Sequence, residues 1–164
     1  MSRSIFAAAA ALAAYLAACD TSVGGGGAAD AAPAAPDASP ACAEATAHSD
    51  LAWIQDNIFT PSCAAFSACH MGSAAQAAGL NLEAGMAQAE LVDQVAVSQG
   101  LEGMNLVLVV PGDSNASYLM TIIDHESKGG RRSGPLPTAG TMPFNSPLMC
   151  VEKRDAIARW IDSL

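Results

Sequence analysis

Positive charge is scarce in this sequence. Seven Lys and Arg stand against sixteen Asp and Glu, a formal net charge of −9. Nucleic-acid binding needs a basic face, and anionic lipid head groups attract basic segments. The balance therefore argues against both as partners. Long apolar runs are also lacking. Ile5 to Leu16 is uncharged and apolar, but it has the length of a signal-peptide core and is too short to span a bilayer. Large apolar side chains are nearly absent from Asp20 to Ala47, so that stretch cannot bury enough surface to fold. No internal repeat stands out. No nucleophile–base pattern, phosphate-binding loop or pair of carboxylates at a working spacing is present, so nothing supports an enzyme. The hydrophobic fraction of 51% is inflated by alanine in the first 47 residues.

What is present begins at the N-terminus. Met1 to Ser4 carries a single cation, Arg3, and the apolar run ends in Leu16-Ala17-Ala18-Cys19. This resembles the lipobox of bacterial lipoprotein precursors, where small residues enter the signal-peptidase groove and the thiol takes the lipid. The resemblance implies that residues 1–18 are removed and that Cys19 is the lipid anchor. It places the protein in the cell envelope, on the periplasmic side or in the outer membrane. Residues 19–47, rich in Ala, Gly and Pro, are expected to form a flexible, lipidated linker. Residues 48–164 are then the folded domain.

Five cysteines occur. With Cys19 lipidated, Cys42, Cys63, Cys69 and Cys150 remain. Outside the cytoplasm such thiols end in disulfides or bonded to something else.

The fold class is mostly α, with long loops and little sheet. Asp50 to Phe59 has Leu51, Ile54 and Ile58 on one stripe and is expected to end at Thr60-Pro61, because the residue before proline avoids the helical region. Further helices are expected over Glu83 to about Val97, Asn115 to about Asp124 and Val151 to Leu164. The last has Ile157, Trp160, Ile161 and Leu164 on one face. Leu106 to Val110 is β-rich and stops at Pro111-Gly112. Ser127 to Gly140 is a loop.

The motif that carries chemistry is Cys63-Ala64-Ala65-Phe66-Ser67-Ala68-Cys69-His70. Covalent c-type haem attachment needs two thiols for two vinyl groups, and a histidine directly after the second thiol to ligate the iron. The usual spacer is two residues. Here it is five, Ala64 to Ala68, which can bulge out of the loop because only the sulfurs and the imidazole must meet the ring.

Around this motif stand Ile58-Phe59-Thr60-Pro61-Ser62-Cys63, Cys69-His70-Met71-Gly72, Gly79-Leu80-Asn81-Leu82 and Pro111-Gly112-Asp113. They are followed by Ser117-Tyr118-Leu119, Met142-Pro143 and Ile157-Ala158-Arg159-Trp160-Ile161. In that order they resemble the short cytochrome c-like modules of exported lipoproteins of the planctomycete and myxobacterial type. The resemblance covers about residues 51–163. It implies a small cytochrome c-like helical domain carrying one covalent haem c. Cys63 and Cys69 would form the thioethers, and His70 and Met142 would be the iron ligands. Met149, Met71 and His125 are weaker candidates for the second iron position.

The resemblance also implies that the Trp160 helix packs on the Trp53 helix. With those helices together, Cys42 and Cys150 can meet, and we expect a disulfide between them. The implied role is single-electron transfer to a redox protein partner in the envelope. The rival is a haem-free module of the same fold, with a second disulfide between Cys63 and Cys69. Cu(I) binding by Cys, His and Met ranks last. Arg131-Arg132 is a small basic spot that could face a haem propionate.

Overall fold

The computed structural model describes residues 39–72 and 74–164. The leader 1–18, Cys19 and most of the 19–47 linker lie outside the described residues. None of the described helices is long and apolar enough to cross a membrane.

The domain is helix-rich, with no extended strand among the described residues. It begins earlier than expected. Helix α1, Pro40–Ala45, lies within the stretch assigned to the linker. Proline suits a first helical position, and Ser39 caps the start by accepting from the Cys42 N–H at 3.3 Å. Composition misses this helix because its stabilising contacts are distant. Ala45 is fully buried, and Cys42 is bonded to Cys150 as a disulfide, 108 residues away, with Cα atoms 6.2 Å apart. Arg159 donates from Nη2 to the Ala45 and His48 carbonyls at 2.7 and 2.8 Å.

Helix α2, Leu51–Ile54, is capped by Asp50, whose Oδ1 accepts from the Trp53 N–H at 2.8 Å. That bond and the His48 ring hold the Asp50 carboxyl below its usual range. The chain does not stop at Thr60-Pro61. It widens into a π-helical segment, Gln55–Cys63, with Pro61 inside. In π-helical pairing the donor lies five residues on, so Pro61 offers no N–H to the Asp56 carbonyl, and Lys153 Nζ donates to the neighbouring Asn57 carbonyl at 2.9 Å.

The predicted Glu83–Val97 helix shrinks to α3, Ala87–Leu91. Beyond Leu91 the β-rich run captures the chain instead. Val92 bridges Val109 in parallel and Val95 bridges Val107 antiparallel, with Leu108 N–H on the Gln94 carbonyl at 2.7 Å. Helix α4, Tyr118–Ile123, starts three residues late. Asp113 Oδ1 is engaged in a turn, accepting from the Asn115 and Ala116 N–H groups at 3.0 and 2.9 Å. The first α4 donors, Tyr118 N and Leu119 N, go to the Val107 and Leu108 carbonyls.

Helix α5, Val151–Asp162, buries Ala156, Ile157, Trp160 and Ile161. Trp160 meets Phe59 of the π-helical segment edge to face, centroids 6.1 Å apart, whereas Trp53 stacks on His48 at 4.3 Å. The expected packing of the first and last helices is present, but Phe59 rather than Trp53 is the ring against Trp160. At the end of α5, Asp162 accepts from Ser114 N at 2.8 Å and Ser114 Oγ at 3.1 Å. Asp162→Ala is expected to lower the unfolding free energy by about 1–2 kcal/mol, read by urea denaturation.

Candidate functional site

One cavity of about 670 Å³ lies inside this frame, within the size range of cofactor pockets. The π-helical segment carries Cys63 to its wall. The bulged loop then brings Cys69 and His70 to it. Loop closure rests on two backbone bonds, Cys69 N to the Phe66 carbonyl at 2.8 Å and His70 N to the Cys63 carbonyl at 3.0 Å. The spacer turns outward only in its middle, where Phe66 is 71% exposed, whereas Ala64 is buried in the core and Ala68 lines the cavity.

Other walls come from Phe59, Leu80, Leu82, Leu108, Leu119, Ile122, Ile123 and Ile157. Met142 and Met149 both line the same space. The Met142 N–H on the Ile122 carbonyl at 2.9 Å ties that residue to α4. Met71 and His125 do not line the cavity. His125 instead pins the 127–134 loop, its Nε2 donating to the Gly134 carbonyl at 3.1 Å.

Cys63 and Cys69 are free thiols in this structure. Burial, with the neighbouring Cys69 adding to it, pushes the Cys63 thiol up to about 12. Burial also lowers the His70 imidazole from its ordinary value. His70 Nδ1 sits 3.3 Å from the Leu80 carbonyl. A carbonyl can only accept, so Nδ1 carries the proton and Nε2 keeps its lone pair. This orienting contact comes from a residue ten positions away, and no local sequence signal marks it.

The donor set does not converge as it would for a single ion. Among the described residues, Cys63, Cys69 and His70 do not bring their ligand atoms within 4.8 Å of one another.

No family model, curated protein or solved structure matches this chain.

Neither Arg131 nor Arg132 lines the cavity. Arg131 is bound to Asp124 and Asp155, and Arg132 Nη1 donates to Asn115 Oδ1 at 2.7 Å. Among the described residues, no lysine or arginine lines the cavity. Val95, Val97 and Phe144 line it and are also exposed, Val97 by 75% and Phe144 by 58%. An apolar opening of this kind on an acidic protein is a feature of binding surfaces.

Proposed function

We propose that this chain is a lipid-anchored, exported c-type cytochrome domain that carries one electron at a time. The observation that carries the reading is that Cys63, Cys69, His70 and Met142 all line one apolar cavity. The sequence resemblance supports a cytochrome c-like fold, and the packing of α5 against α2 and its π-helical extension agrees with it.

In this reading Cys63 and Cys69 hold haem c through thioethers. His70 Nε2 and the Met142 sulfur take the two iron positions. The bound haem supplies reversible one-electron chemistry at the iron. The chain's own residues do the rest. Leu80 fixes the His70 tautomer, Ile122 fixes the Met142 backbone, and the Leu and Ile walls exclude water. A Met/His pair raises the potential relative to two histidines. The exposed Val97 and Phe144 offer a contact edge for a redox protein partner. Cys19 keeps the domain at the membrane while the linker lets it reach that partner.

Redox titration of the haem-matured full chain tests the assignment of the sulfur ligand. Met142→Ala is expected to lower the midpoint potential and change the ligand-sensitive part of the spectrum. Met149→Ala is expected to leave both in place. The opposite pattern would move the ligand to Met149, and no reversible wave in the unsubstituted protein would remove the electron-transfer reading.

A further inference from the structure

We propose that Gln55 is a positioning residue for His70, acting through the segment 80–82. This inference rests on the reading of His70 as the ligand-bearing imidazole. Gln55 opens the π-helical segment and is 6% exposed. A buried amide is costly unless its N–H groups find acceptors. Gln55 Nε2 donates to the Leu82 carbonyl at 2.9 Å and to Thr60 Oγ1 at 3.1 Å.

The same short segment holds His70 twice. Leu82 N donates to the His70 carbonyl at 2.8 Å, and the Leu80 carbonyl accepts from His70 Nδ1. The segment has no helix or strand of its own to keep it in place. It follows a positive-φ pair, Ala78 and Gly79. Gln55 therefore ties the segment to the helical frame by the Leu82 carbonyl, beside the buried Leu82 side chain and Glu90, whose Oε2 accepts from Asn81 N at 3.5 Å. Cys63 ends the same π-helical segment that Gln55 begins. One element thus carries a cavity thiol and the amide that sets the imidazole beside it. A neutral imidazole has two tautomers, and the bond made by one nitrogen decides which is held. Gln55, by seating Leu80, keeps the Nδ1–H form and leaves Nε2 free.

The test uses the full chain labelled with ¹⁵N-histidine. The Nδ1–H of His70 is observable whether or not Nε2 carries a ligand. Gln55→Met keeps the side-chain volume and removes both N–H groups. It is expected to speed water exchange of the His70 Nδ1–H about ten-fold, as for loss of one supporting hydrogen bond. In haem-free chain an Nε2–H signal is expected to appear as well. His125 is the internal reference and should not move. An unchanged His70 signal, or equal acceleration at His70 and His125, overturns the proposal.

If the variant does not fold, the unsubstituted protein decides. The Gln55 side-chain amide protons should then exchange at least about ten-fold more slowly than those of exposed Gln88. Equal rates overturn the proposal. Haem absorbance of the same samples is read separately, so a chain without haem and a chain with an unheld His70 are told apart.

Discussion

Replacing Cys42 and Cys150 by serine is expected to lower the unfolding free energy by roughly 4–5 kcal/mol, the loop-closure value for a bridge of this span. The bridge joins residues 108 positions apart, so it closes nearly the whole folded part. For a domain of this size the melting temperature should fall on the order of 15 °C. The bridge fastens α1 beneath α5, where Arg159 already holds the α1 carbonyls. It also fixes the chain next to Met149, which lines the cavity. Calorimetry of the Cys42→Ser/Cys150→Ser protein against the unsubstituted one reads the effect. A loss below about 1 kcal/mol would show that α1 and α5 stay together without the bridge, contrary to the chain-entropy account.

Asp124→Ala is expected to cost about 3–5 kcal/mol, the range for removing one partner of a buried charge pair. Asp124 is fully buried at the end of α4. Its carboxylate accepts from Arg131 Nε at 2.7 Å, from Arg131 N at 3.1 Å and from Arg154 Nη1. Its backbone carbonyl accepts from Arg132 N at 2.8 Å. Gly130 is required beside it, because a Cβ there would lie 2.1 Å from the Asp124 carbonyl oxygen. Alanine at 124 would remove the anion shared by the buried Arg154 and the half-exposed Arg131. Ile122 and Ile123, two residues and one residue earlier, line the cavity, so the damage should extend to the site. Asp155, half-exposed and bound to Arg131 alone, is the contrast. Asp155→Ala is expected to cost no more than about 1 kcal/mol, because exposed pairs are screened. Urea denaturation of both variants gives the comparison, and equal costs would contradict the central place given to Asp124.

Local patterns made the ends of the domain legible. The α5 stripe of Ile157, Trp160 and Ile161 is a strong 3.6-residue period and packs as read, but the helix ends at Asp162 and leaves Leu164, expected on the same face, exposed. The Cys42–Cys150 bridge followed once two helices were expected to pack. Patterns failed where distant contacts decide. Pro61 is a sound stop signal, but the chain runs on through it as a π-helical segment, with Lys153 from α5 donating to the Asn57 carbonyl. The apolar positions of 83–97 fit a helix until Val107 and Val109 draw Val92 and Val95 into bridges. Ala-rich composition hid α1, whose stability comes from a disulfide and an arginine more than a hundred residues away. At the site, the residue types and their order pointed to Cys63, Cys69, His70 and Met142. Gln55 and the Leu80 carbonyl carry no such signal, because a glutamine and a backbone oxygen gain their role only from the fold.

The most direct test of the central claim is the intact mass of the full chain, produced in a host that attaches c-type haem, together with its absorption spectrum. The expected result is one haem retained after denaturation and a Soret band that is lost when Cys63 and Cys69 are both replaced by alanine. A mass equal to the lipidated chain less four hydrogens, with no Soret band, would contradict it and leave a haem-free module with two disulfides.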